Sequence, residues 1–206
     1  MKQESKKIIP ISIIALIILA GIVVVSIWGF NKELRFAESK RIDIYTEQQV
    51  DKNKVKSIVN EVLGKENMLQ TVEIYEDMIT IRAKNISEEQ RNDIVNKIKE
   101  NYEFEQKAEN TNINIVPVTR IRDMYKKYVL PFVISAILVV AYMGIRYYKK
   151  GILKVVTKAT VIPVVAELLL LSIVAITRIP VGRFIPALVI LMYITSILYV
   201  TKEIEK

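Results

Sequence analysis

Residues 159–177 read Ala159-Thr-Val-Ile-Pro-Val-Val-Ala-Glu-Leu-Leu-Leu-Leu-Ser-Ile-Val-Ala-Ile-Thr177. A bilayer is crossed by a helix of ~20 predominantly apolar residues. This stretch has that length and one ionisable side chain, Glu167. Working outward, three more apolar runs of similar size lie at residues 8–30, 129–145 and 184–200. The chain is 51% hydrophobic, and clustering of the apolar residues into four runs predicts four membrane helices. Pro163 near the start of the third run is compatible with a membrane helix, because neighbours re-satisfy the freed carbonyl. Ile152–Val156 just before it could be a separate interfacial stretch.

Charge sets the expected orientation. Residues 31–127 hold 18 basic and 18 acidic side chains and are therefore neutral. The remaining 12 basic residues flank the membrane runs and, with 4 acidic residues of which Glu167 lies inside a run, carry the whole net charge of +8. Lys2, Lys6 and Lys7 precede the first run, and Arg146, Lys149, Lys150, Lys154 and Lys158 follow the second. With Lys202 and Lys206, ten of the 12 flanking cations fall on one side if both termini are cytoplasmic. That is the positive-inside bias. Arg178 and Arg183, between the third and fourth runs, fall on the other side. The first run is longer than the ~7–15-residue core of a signal peptide and ends in Trp28-Gly-Phe30, aromatics suited to an interface. It reads as an uncleaved helix. The expected organisation is a cytoplasmic N-terminus at 1–7, a membrane helix at 8–30, an extracytoplasmic domain at 31–128, three further helices within 129–200, and a cytoplasmic tail at 201–206.

Residues 31–128 have the patterning of a small α+β domain. Ile42 and Ile44 alternate with polar residues, as in a half-buried strand. Asp51 is placed to cap a helix whose apolar stripe is Val55, Ile58, Val59, Val62 and Leu63, closed by Gly64. Val72-Glu-Ile-Tyr75 and Ile79-Thr-Ile-Arg82 read as two strands joined by the turn Glu76-Asp77. Ser87-Glu-Glu-Gln90 is a capping box opening a second helix with Ile94, Val95, Ile98 and Tyr102 on one face. Ile113 and Ile115 mark a last strand. The order β-α-β-β-α-β is that of a ferredoxin-like domain.

The chain has no cysteine and no histidine. That excludes disulfides, thiolate or histidine metal sites, and Ser-His or Cys-His catalysis. No nucleophile–base pair, cofactor motif or metal site is visible, so a non-enzymatic protein without cofactors is expected. A neutral domain also argues against nucleic acid as a partner. Arg120, Arg122, Lys126 and Lys127, just above the second helix, could contact lipid headgroups. Glu167 is the exception to this quiet chemistry. A carboxylate at mid-helix costs ~2.5–3.5 kcal/mol on insertion scales, so such residues usually mark an ion or substrate path. It is the proton-relay candidate. The bland alternative is a hydrogen-bonded packing residue. Thr195 and Ser196 on the fourth helix are the nearest candidate polar partners.

This order of elements resembles SecF, the smaller member of the SecD–SecF export pair in the RND superfamily. Val50-Asp-Lys-Asn-Lys-Val55 resembles the family's start of the first domain helix, and Tyr142-Met-Gly-Ile-Arg-Tyr147 the end of its second membrane helix. Ala166-Glu167 falls where the family has a His-Asp pair, and Pro186-Ala-Leu-Val-Ile-Leu-Met-Tyr193 resembles the entry to its fourth helix. Two signatures are not kept. Arg35-Phe-Ala-Glu-Ser39 stands in place of the family's Asp-Phe-Thr-Gly-Gly. Thr195-Ser-Ile-Leu-Tyr-Val-Thr201 lacks the carboxylates of its fourth-helix motif. The family also continues with two more helices. The resemblance implies an accessory subunit of protein export in the cytoplasmic membrane. A SecD-like subunit, the translocation channel and the translocating polypeptide would be its partners. The alternative, read without the family, is a membrane-anchored interaction module whose outer domain binds a partner.

Overall fold

The computed structural model describes the backbone of residues 2–71 and 77–206, and the side chains of 10–71 and 77–206. The described chain is a mostly helical membrane protein with four long apolar helices and one small antiparallel sheet. The chain divides into two units, Met1–Lys32 with Ile121–Lys206, and Glu33–Arg120.

In the second unit, β1 (Ser39–Tyr45), α2 (Lys52–Leu63), β2 (Asn67–Thr71), β3 (Met78–Ala83), α3 (Glu88–Lys99) and β4 (Asn114–Val116) follow one another. The sheet order is β2-β3-β1-β4, with every neighbouring pair antiparallel. The register Ile42↔Ile81 and Ile44↔Ile79 puts four isoleucines on one face. Against them pack Val55 and Val59 of α2 and Ile94, Val95 and Ile98 of α3, all without exposed surface. The two helix stripes anticipated from the sequence are therefore the two that close this core.

The caps form as the sequence implies. The Asp51 side chain accepts the Asn53 N–H at 2.8 Å. Ser87 and Gln90 exchange hydrogen bonds, each side chain accepting from the other's backbone N–H. Gly64 ends α2 at φ 75, a conformation that side chains with a Cβ disfavour. The other sheet face is polar, with Arg41 paired to Asp43 at 3.0 Å and Thr80 donating to Asp43 at 2.7 Å. The strand expected at Val72–Tyr75 and the turn residue Glu76 lie outside the described residues. Within them, β2 occupies Asn67–Thr71, a polar strand without the apolar alternation used to find the others.

The four long helices are α1 (Lys2–Trp28), α4 (Ile121–Arg146), α5 (Ile152–Ile176) and α6 (Ile185–Glu205). All are long and apolar enough to span a membrane. Hydropathy located them, and the helices run on past the apolar stretches. The second compact unit runs to Arg120, and α4 starts eight residues before the apolar run at 129. Arg122, Asp123, Lys126 and Lys127 hide its first two turns from an apolar count, although Ile121, Tyr125 and Tyr128 already repeat at helical spacing. Ile152–Val156 is not a separate stretch but the first turn of α5. Helix α6 likewise runs on through the polar tail to Glu205.

Candidate functional site

Helix α5 organises the membrane unit, packing against α1, α4 and α6. It does so with two opposed faces. On one, Gly21 of α1 meets Ser172 so closely that a Cβ at Gly21 would lie 2.5 Å from the Ser172 Cα. Small residues at such crossings let helix backbones approach. On the other, Val155 and Ala159 pack with Met143 of α4 and with Val200 and Ile204 of α6. Gly144 tightens the α4–α5 contact, since a Cβ there would meet the Val156 side chain at 3.2 Å.

Glu167 lies away from the α1 contact. At 100° per residue it lies about 140° around the helix from Ser172. Pro163 and Val174, one turn below and two above on its own side, are both buried. Its two carboxylate oxygens are buried, and among the described residues neither has a hydrogen-bond partner. Buried polar side-chain atoms are satisfied in the large majority of cases, so an orphaned carboxyl asks for an explanation. Thr195 and Ser196 do not supply one. The Thr195 hydroxyl donates to the Leu191 carbonyl at 2.8 Å, and that of Ser196 to the Tyr193 carbonyl at 2.7 Å. Both hydroxyls thus back-bond within α6. Thr195 is exposed and Ser196 buried.

Both ends of the helix unit are tied by polar contacts. At one end Lys158 of α5 pairs with Glu203 of α6, and the Tyr147 hydroxyl donates to Glu205, each at 2.6 Å. The cations Arg146, Lys149, Lys150 and Lys154 gather around this end. At the other end the α5–α6 connection clasps the end of α1. Arg178 donates to the Gly29 carbonyl at 2.6 Å. Asn31 donates from its side chain to the Arg178 carbonyl at 2.8 Å and accepts from the Val181 N–H at 2.7 Å. A cation on the exposed carbonyls of a helix C-terminus is favourable. Arg178, one of two exceptions to the charge bias, is therefore a structural residue. It holds φ 54, a left-handed conformation. Arg178→Gly should keep the turn yet lose the clasp, at a cost of at most about 1.5–3 kcal/mol, the range for hydrogen bonds to charged groups. Faster proteolysis at residues 29–32 in detergent would register it, and an unchanged digestion rate would rule the clasp out as a stabilising contact.

Among the described residues no group of three or more His, Cys, Asp or Glu side chains is placed to hold a metal ion. Sequence reasoning found Glu167 but missed Gly21, Ser172 and Arg178. A signal for the first two was present, as small residues inside runs of Leu, Ile and Val. No protein-family model matches this chain, and no curated protein matches it either.

Proposed function

We propose that this chain is a SecF-like accessory subunit of protein export, working in the cytoplasmic membrane beside a SecD-like partner. The observation that carries the reading is Glu167, a carboxyl buried among apolar helices with no hydrogen-bond partner among the described residues. Carboxyls in such a position commonly lie on proton or ion paths. The architecture supports the same reading. Between the first and second of the four apolar helices lies a β-α-β-β-α-β stretch with an antiparallel sheet, an order that supports a ferredoxin-like reading. The cations gathered at the Lys158–Glu203 end favour the cytoplasm for that end. The domain then lies outside, and both termini inside. The two missing family signatures favour a subunit that leans on its partner rather than one driving export alone.

Export of a secreted reporter should depend on Glu167 when the proton gradient is weak. Glu167→Gln, which keeps shape and removes the titrating group, should slow secretion in cells with a lowered proton-motive force. Unchanged secretion there would sink the relay.

A second reading is a membrane-anchored interaction module. It is favoured by the polar sheet face of Arg41, Asp43, Thr80 and Arg82, which the two helices leave uncovered. Substitutions on that face would then abolish function while Glu167→Leu left it intact.

A further inference from the structure

Between α4 and α6 lies an apolar cavity of about 620 Å³. On α4 its wall is the stripe Ile121, Tyr125, Tyr128, Phe132, Ser135 and Val139, at helical spacing. On α6 it runs from Ile185 to Ile194, with Leu171 of α5 behind. The groove is closed at one end. Tyr193 bridges the two helices there, its hydroxyl donating to the Ala136 carbonyl at 3.4 Å and its ring 5.3 Å edge-on from that of Phe132. Beyond this bridge the lining reaches Val139, which packs against the cluster of Met143, Val155, Ala159, Val200 and Ile204.

The length of the groove decides what suits it. Below the tyrosine rim, the α6 wall from Ile185 to Ile194 rises about 13.5 Å and the α4 wall from Tyr128 to Val139 about 16.5 Å, at 1.5 Å per residue. Half of a ~30 Å hydrocarbon core is ~15 Å. The groove therefore spans one leaflet and stops. A partner's membrane helix would need the full thickness, whereas an acyl chain needs only this half.

The rim supplies the rest. Tyr128 lies under the Lys127 ammonium, 5.0 Å from its ring centroid. Tyr125 donates its hydroxyl to the Gly182 carbonyl at 2.9 Å, so the backbone next to the exposed Arg183 meets the rim there. Among the described residues, no acidic side chain lines the groove. Tyrosines and cations over an apolar slot match the layering of a phospholipid, with phosphate above and chain below.

We propose that this groove holds one acyl chain of an anionic phospholipid, drawn from the leaflet on the side of the α5–α6 connection, with its headgroup phosphate against Lys127 and Arg183. It gives a role to Arg183, the second exception to the charge bias. A groove lipid requires no part in export and stands or falls separately from it.

The purified full chain, incubated with palmitoyl-oleoyl phosphatidylglycerol or with the phosphatidylcholine of the same chains, tests this by native mass spectrometry. The protein should retain one phosphatidylglycerol in preference to phosphatidylcholine. Ser135→Trp, which fills the groove, should cut that retention by roughly tenfold. Lys127→Gln with Arg183→Gln should abolish the preference between headgroups while leaving a weakly held chain. Retention unaffected by Ser135→Trp overturns the proposal, as does displacement of the lipid by a tightly bound protein. Should Ser135→Trp fail to fold, Phe132→Trp in a Trp28→Phe background gives a second reading. Its emission should be quenched more strongly by brominated phosphatidylglycerol than by brominated phosphatidylcholine, and equal quenching overturns the proposal.

Discussion

Gly21→Leu should detach α1 from α5 and cost the membrane unit about 3 kcal/mol or more, the upper range for overpacking. An added Cβ at Gly21 meets Ser172 at its Cβ, Cα and Oγ. One of these is backbone, so no rotamer change relieves the clash and the helices must separate. The loss is large because lipid offers no hydrophobic drive to bring apolar helices together, leaving close van der Waals contact to hold them. Ile14, Ile17, Ile18, Val24 and Val25, half-buried on the same stripe of α1, would lose their contacts along with Gly21. Thermal unfolding in a defined detergent measures the effect. The emission of Trp28, the one tryptophan of the chain, reports separately on the end of α1. Ala20→Leu, on the exposed side of the same helix, is the control and should change little. Ser172→Gly should partly rescue Gly21→Ala, because it removes two of the three clashing atoms, and the non-additivity measures the contact. A Gly21→Leu protein that melts like the unmodified one would refute this account of the α1–α5 crossing.

The parts of the fold legible in the sequence were those governed by local rules. Asp51 and the Ser87–Gln90 box mark helix starts because an N-cap is satisfied within three residues. The stripes of α2 and α3 were visible because each helix buries one face only. The membrane helices were visible in number, but their faces were not. Helices α1 and α4 are apolar all round, so no moment distinguishes the side meeting protein from the side meeting lipid. The first turns of α4 were hidden for a related reason, since Arg122, Lys126 and Lys127 make its start polar without stopping the helix. The polar strand Asn67–Thr71 escaped because it pairs at the sheet edge, where no alternating apolar face is demanded.

The candidate site divides in the same way. One acid in an apolar run needs no structure to be noticed. Its lack of a partner does, because Thr195 and Ser196 look suitable until their hydroxyls are seen to be used within α6. Arg178 was an exception to a charge rule until the clasp on Gly29 gave it a local reason.

That missing partner makes the sign of one further result decisive. Glu167→Leu should stabilise the helix unit, by about 1–3 kcal/mol, the penalty for leaving a buried polar group unsatisfied. Leucine has a similar reach, adds no polar atom, and suits a face already formed by Pro163, Leu171 and Val174. A packing residue hydrogen-bonded to a neighbouring helix would behave in the opposite way, since removing it would orphan its partner and lower stability. Glu167→Gln isolates the remaining variable, for an amide without a partner should melt close to the unmodified protein. Denaturant-induced unfolding in nanodiscs, which hold the surrounding lipid constant, gives all three values. A Glu167→Leu protein less stable than its parent by a similar amount would establish that the carboxyl has a structural bond and would remove the basis for the relay. A more stable protein that no longer supports secretion at low proton-motive force would mean that stability is given up at this position for function. Such a trade is expected where a group must change state to work.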